Sequence, residues 1–160
     1  MTKIHVVGLG MATQDILALT SRLPASNDCF PIPSVTLQGG GPVATALVTL
    51  SRLGASTSYL GAIAPDSTGV MIRDELLRFG VDVAHCPIRS SGVSSASVVL
   101  VEESSGNRSI LYQKSTAAEI APEEIKPEWI SSASALHLDG FFGKAALRAA
   151  RIARASNVPV

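Results

Sequence analysis

Gly39-Gly40-Gly41-Pro42-Val43-Ala44-Thr45-Ala46-Leu47-Val48-Thr49-Leu50-Ser51-Arg52-Leu53-Gly54-Ala55 is the most informative run in this chain. Its glycines open backbone conformations closed to residues with a Cβ. Pro42 follows them at a first-turn position, where a missing N–H costs little. A helix is predicted from there to Leu53, with Gly54 in the position after the last turn where positive φ is tolerated. Ala46, Leu50 and Leu53 share one stripe of that helix, while Thr45, Thr49 and Arg52 lie towards another. A glycine run entering a helix lets amide groups approach a ligand at the positive end of the helix dipole. A tight turn before an ordinary helix has the same pattern, so the segment needs its neighbours to be read.

Upstream, Ile4 to Leu9 is a short β-branched run bounded by Gly8 and Gly10, as in a buried first strand. Met1-Thr2-Lys3 enters it directly, with no apolar signal region and cleavage site. The short apolar stretches Asp15 to Leu19 and Phe30 to Leu37 are broken by Pro24, Pro31 and Pro33, which suits edge or lid strands. Downstream, a strand is predicted from Thr57 to Ile63. A helix follows, capped by Asp66 or Ser67, with Ile72, Leu76 and Phe79 inward and Gly80 closing it. Ser94 to Val101 and Ser109 to Gln113 flank Ser105-Gly106-Asn107, which fits a hairpin loop. A short helix from Pro122 to Ile130, a strand from Ala135 to Leu138 and a helix from Lys144 to Ala155 complete the pattern. Asn157-Val158-Pro159-Val160 reads as the opening of another strand, so a chain cut short within a larger domain is expected. Strands alternating with helices, interrupted by two strand-only insertions, predict an α/β sheet.

Composition narrows the function classes. Of 160 residues, 46% are apolar and 16% charged, the balance of a packed globular protein. Thirteen Lys and Arg cancel thirteen Asp and Glu, so no net field recruits nucleic acid or an anionic membrane. No stretch reaches the ~18 apolar residues of a membrane span. Cys29 and Cys86 lack metal-ligand or disulfide spacing and suit reduced thiols in the cytoplasm. Gly8-Leu9-Gly10-Met11-Ala12-Thr13 superficially suggests a dinucleotide fingerprint. It lacks the third small residue, and prolines follow where a long helix should stand. His5 and His137 lie in strands without a third ligand at metal spacing, and Lys144, Arg148, Arg151 and Arg154 form a solvated helical stripe.

The glycine run with its terminal Leu53-Gly54-Ala55 resembles the first signature of the ribokinase/PfkB carbohydrate kinases. Two further segments extend the similarity: Val7-Gly8 ahead of Asp15, and Leu60-Gly61-Ala62-Ile63-Ala64-Pro65-Asp66-Ser67-Thr68-Gly69 followed by Leu76 to Val83. The hairpin and Leu136-His137-Leu138-Asp139 carry it, more weakly, over nearly the whole chain. The Gly-Gly-Gly-Pro-x-Ala-Thr form is similar to that of a branch containing sulfofructose kinases. Gly140-Phe141-Phe142 stands where that branch offers an arginine, and no lysine occurs between Ser26 and Leu37, so sulfosugar specificity is not expected.

The resemblance implies a ribokinase-like three-layer α/β/α sheet, present here as the N-terminal part of one domain over 1–160. Small β-sheet lid strands are expected within about 12–38 and 93–114, and the nucleotide-binding C-terminal half is expected to be absent. It implies ATP- and Mg²⁺-dependent phosphorylation of a hydroxyl on a sugar or small polyol, with the catalytic base beyond Val160 and a homodimer formed through the lid. The 160 residues alone are expected to transfer nothing. By the same resemblance Asp15 accepts hydrogen bonds from sugar hydroxyls, and Gly40 and Gly41 line the sugar through their amides. Thr45 stands where the family usually has Asn and either meets the sugar or faces the core, and Asp139 matches an acidic sugar-facing position or else caps a helix. Apart from the resemblance, the place of Asn107 near the hairpin suits either an ordinary loop or a reach over the substrate. A non-catalytic sugar-binding or regulatory protein of the same fold remains the alternative.

Overall fold

The structure, a computed structural model, describes residues 4–160; Met1-Thr2-Lys3, expected to run straight into the first strand, lie outside the described residues. In chain order the elements are β1 (His5–Leu9), β2 (Thr13–Thr20), β3 (Ser34–Gly40), α1 (Pro42–Arg52), β4 (Ser56–Leu60), α2 (Ser67–Arg78) and β5 (Val81–Asp82). They continue with β6 (Ala96–Glu102), β7 (Arg108–Gln113), β8 (Ala135–Leu138) and α3 (Gly143–Ala155). Two four-stranded sheets result, ordered β5-β4-β1-β8 and β3-β2-β6-β7.

The first sheet is parallel throughout and forms the middle of three layers. Alternation along β1 explains both interfaces. Val7 and Leu9, with Leu60 and Leu136, face α3 and pack with Ala145, Ala149, Ile152 and Ala153. Val6 and Tyr59 face the other way, against Val43, Ala44 and Leu47 of α1 and Ile72 and Leu76 of α2. Strands buried on both faces read as apolar runs, as β1 does. Gly8 sets the depth of α1: a Cβ there would lie 2.7 Å from Val43 Cγ1 and 2.8 Å from Leu47 Cδ1. This is the three-layer α/β/α arrangement that the resemblance implies, with an added small sheet.

The added sheet is mixed. β2 pairs antiparallel with β3 and parallel with β6, and β6 turns back antiparallel into β7. The proline-rich segment before Ser34 stays outside it, consistent with prolines being excluded from paired positions. Its root is fixed by Asp66, the N-cap of α2. Asp66 accepts from the Gly69 amide at 2.8 Å, from the Ser94 amide at 2.8 Å and from the Ser94 hydroxyl at 2.7 Å. Burial would raise the pKa of this carboxyl, but the Ser94 amide and hydroxyl and the Gly69 amide outweigh it and hold the group below its usual range.

Several local expectations are corrected. The buried stripe of α1 is Val43, Ala44 and Leu47; Ala46 and Leu50 are only half-buried, and Leu53, the residue that caps the helix, is 79% exposed. The cause is Gly8, which draws α1 onto β1 along the 43–47 side. Pro122–Ile130 is not one helix but two single 3-10 turns, Pro122–Glu124 and Pro127–Trp129. Pro127 lacks the N–H that would continue the first turn, and Glu124 is held by Arg89 at 2.7 Å. Residues 157–160 form no strand, although the Pro159 carbonyl accepts from the Leu136 amide at 2.9 Å and lays the segment beside β8.

Candidate functional site

Open parallel sheets place ligands beyond the carboxyl ends of their strands. Here the chain leaves β1 at Leu9 and β8 at Leu138, and the loops Met11–Ala12 and 139–142 rise from that end. The small sheet rises beside them. Between the two lies a cavity of about 600 Å³ lined by Asp15, Thr45, Ser97, Tyr112 and Phe141 together with Met11, Thr13, Gly41, Pro42, Ser95, Val99 and Ile110.

Register explains which side chains meet there. Asp15 pairs with Ser97 on β6, which pairs with Tyr112 on β7; Leu17 pairs with Val99, which pairs with Ile110. Directly paired residues project to one face, so Asp15, Ser97, Val99, Ile110 and Tyr112 share the face over the cavity. Ser97 Oγ donates to Asp15 Oδ1 at 2.7 Å. The other carboxylate oxygen lies over Gly40: a Cβ on that glycine would sit 2.1 Å from Asp15 Oδ2. Gly40 is therefore needed for the closeness of Asp15, a reason the sequence did not disclose.

Gly41 has φ +96° and is the N-cap of α1, with no side-chain cap. A Cβ there would lie 2.4 Å from the Met11 carbonyl oxygen, which itself accepts from the Ala44 amide at 3.4 Å. The Gly-Pro entrance thus seats the start of α1 on the loop after β1, and Thr45, one turn in, faces the cavity.

Of the expected site residues, the structure brings Asp15, Gly41 and Thr45 onto one cavity, with Gly40 directly behind Asp15. Asp139 does not line it. Its Oδ2 accepts from the Met11 amide at 2.8 Å and its Oδ1 from the Phe141 amide at 3.0 Å, tying the ends of β1 and β8 together. Gly10 makes room for that carboxylate, since a Cβ would come within 2.4 Å of it. Asn107 is also outside the cavity. It sits at the exposed tip of the β6–β7 hairpin, where its amide donates to Ser105 Oγ at 3.1 Å. Ser97 and Tyr112 were missed by the sequence reading. Their signal was the period-two alternation of β6 and β7, legible only once β6 is known to lie beside β2.

A second cavity of about 350 Å³ adjoins the first, sharing Met11, Ser95, Tyr112 and Phe141 and adding Lys114, Glu119 and the Gly140–Gly143 loop ahead of α3. Among the described residues no group of three His, Cys, Asp or Glu could hold a metal ion, and no helix is long and apolar enough to cross a membrane. Burial pushes the Cys86 thiol up to about 12, so it stays protonated and takes no part in thiolate chemistry.

Known proteins resemble this chain in sequence and in fold. The pattern of the pfkB family carbohydrate kinase matches residues 1–159. An ATP-dependent ribose-1-phosphate kinase of Halopiger xanaduensis is 27% identical over 98% of this chain and 53% of its own length. The ketohexokinase of Mus musculus is 22% identical over 88% of this chain and 47% of its own. A crystallised ribokinase candidate from Agrobacterium tumefaciens superposes with a TM-score of 0.89 at 24% identity, over 98% of this chain and 51% of that one. The chain spans about half the length of the curated relatives it matches.

Proposed function

The chain belongs to the pfkB family of carbohydrate kinases, and we propose that the protein it represents uses ATP and Mg²⁺ to phosphorylate a hydroxyl of a sugar or related small molecule. The observation carrying this reading is the convergence of Asp15, Gly41 and Thr45 on one cavity at the carboxyl end of the parallel sheet. Asp15 accepts a substrate hydroxyl, Thr45 offers a second hydrogen-bonding group, and Val99, Ile110, Tyr112 and Phe141 exclude water around them. On this reading Gly40 and Gly41 bring the backbone close to the bound polyol, while Asp139 and Asn107 act at one remove. Asp139 holds the loop that carries Met11, and Asn107 rides on the lid hairpin.

ATP, when bound, supplies the phosphoryl group, and Mg²⁺ neutralises its charge. The residues described here do not fit either group. They include no metal cluster, and the sequence lacks the Asp-Thr-x-Gly-Ala-Gly-Asp run expected to carry the base. Nucleotide, metal and base are assigned to a C-terminal half of the same domain, a division supported by the half-length match to the kinases above.

The test is a phosphotransfer screen of the full-length protein with ATP and Mg²⁺ over free sugars, sugar phosphates and nucleosides. Transfer to at least one of them, above the rate of ATP hydrolysis alone, is expected. Silence across the panel overturns the kinase reading, and binding of a sugar without transfer favours the non-catalytic alternative.

The small sheet is read as a lid that also joins two subunits. Its face away from the cavity exposes Ile16, Val35, Leu37, Val98 and Leu111, neighbours in the strand register. An apolar sheet face of this kind favours association. A homodimer is the expected state by light scattering of the full-length protein; a monomeric mass at micromolar concentration refutes it. The two free thiols, one of them the exposed Cys29, favour a cytoplasmic location.

A further inference from the structure

We infer that Arg89 is a positioning residue: it fixes the wall that the chain after β7 gives to the second cavity, and so tightens binding of substrates that extend into that cavity. The inference rests on the kinase reading above and adds a determinant of which substrates the site accepts.

Four residues of that wall, Lys114, Ser115, Ala117 and Glu119, come from a stretch with no helix or strand of its own. β7 ends at Gln113, and the next 3-10 turn begins only at Pro122. No ladder of hydrogen bonds fixes such a stretch, so its backbone groups must find partners elsewhere. Its first half is stitched to Val93, ahead of β6. The Thr116 amide donates to the Val93 carbonyl at 3.0 Å, and the Val93 amide donates to Thr116 Oγ1 at 3.0 Å. Its second half is held by one side chain. Arg89 Nε donates to the Ala118 carbonyl at 2.9 Å and Nη2 to the Glu119 carbonyl at 3.0 Å; neither carbonyl takes another donor among the described residues. Nη1 and Nη2 also donate to Glu124, to Oε1 at 2.8 Å and Oε2 at 2.7 Å, and the same Oε2 accepts from the Ala121 amide at 2.7 Å.

One planar guanidinium thus sets four acceptors belonging to residues 118, 119 and 124, a geometry its fixed fork of donors imposes. Its own end is anchored. The Arg89 amide donates to the Ile63 carbonyl at 2.8 Å, and Ile63 is buried in the core beside α2, next to Ala62 of the cavity lining. Arg89 itself lines neither cavity, so it acts through the wall. A wall already ordered adds nothing to the entropy lost on binding, whereas a loose one must be ordered by the ligand. The consequence falls on KM, and only for substrates that reach the second cavity.

The experiment uses the full-length protein with Arg89→Gln, Arg89→Lys and Glu124→Gln. Arg89→Gln is expected to speed hydrogen exchange of the 117–121 amides about ten-fold or more, with β1, β4 and β8 unchanged to within about two-fold. Arg89→Lys should behave like Arg89→Gln, because an ammonium keeps the charge without the planar fork. Kinetics then compare the best substrate found with its methyl, propyl and phenyl ethers at hydroxyls that are not phosphorylated. For at least one ether, Arg89→Gln should raise KM about ten-fold with kcat within about two-fold, while the parent substrate changes no more than about two-fold in either. Glu124→Gln keeps both carbonyl contacts and should give about a three-fold rise in the same KM; it is read by the same criteria where the Arg89 variants do not fold. Unchanged exchange over 117–121 overturns the inference. So does a KM that moves equally for parent and ethers, the mark of general loosening, or a loss confined to kcat. An unsubstituted protein that is active on the parent but accepts no ether overturns it too, since nothing then enters the second cavity. If the unsubstituted protein phosphorylates nothing, the kinase reading fails, and the exchange result alone decides whether Arg89 fixes the wall.

Discussion

Replacing Asp15 with alanine is expected to lower kcat/KM of the full-length protein about 100-fold, with most of the change in KM. The reasoning starts from its two oxygens. Oδ2 lies against Gly40, and on the proposed reading the carboxylate accepts a hydroxyl from a substrate in the cavity it lines, a charge-assisted bond worth about 1.5–3 kcal/mol, or roughly 10- to 100-fold in affinity. Oδ1 accepts from Ser97, and the substitution leaves the Ser97 hydroxyl without that partner. Stability should change little by comparison, because Asp15 is half-buried beside an open cavity and no core cluster includes it. Asp15→Asn separates shape from charge. It keeps the volume above Gly40 but presents an amide, and about a ten-fold loss is expected. The measurement is steady-state phosphotransfer alongside thermal unfolding of each variant. An Asp15→Ala protein with unchanged kcat/KM would remove Asp15 from the site and, with it, the basis of the functional reading. A large fall in unfolding temperature would instead make the residue structural.

What was legible in the sequence follows from how local each signal is. Gly39 to Pro42 declare a helix entrance because positive φ and a missing N–H are properties of single residues, and α1 starts at Pro42. Asp66 as a cap and Gly80 as a stop are of the same kind; Gly80 has φ +77°. The apolar face of α1 was harder. Val43, Ala46, Leu47, Val48, Leu50 and Leu53 surround most of the helix, so periodicity alone does not say which side is buried. Gly8 chose it, by leaving a hole in β1 opposite Val43 and Leu47. Ser97 was invisible for a stronger reason. Its partner Asp15 lies on a strand reached through a parallel pairing, and nothing near either residue encodes that register. Asp139 shows the converse. Its place at a strand end was readable, but the two backbone amides that occupy its oxygens depend on how the loops after β1 and β8 meet.

Gly41 is where local and long-range requirements coincide, and its substitution should have the largest structural effect. Alanine there meets two obstacles. The backbone angles, φ 96° and ψ 137°, belong to a region essentially reserved for glycine, at a cost of about 1–3 kcal/mol for any other residue. In addition the new Cβ would press to within 2.4 Å of the Met11 carbonyl oxygen and 2.9 Å of Ala12 Cα, both backbone atoms that cannot swing aside. Either α1 or the loop after β1 must move, and both border the cavity. Gly41→Ala is therefore expected to destabilise the protein by about 3–5 kcal/mol and to reduce kcat/KM of the molecules that remain folded by at least about 100-fold. Gly106→Ala supplies the comparison. That glycine also has positive φ, +70°, yet nothing lies within 4 Å of its would-be Cβ, so it should lose only about 1 kcal/mol and keep its activity. Urea unfolding of both variants separates conformational strain, which they share, from steric contact, which only Gly41 has. Equal shifts in midpoint would mean that the close approach of α1 to Met11 carries no weight. The entrance to the helix would then be an ordinary turn rather than one wall of a binding site.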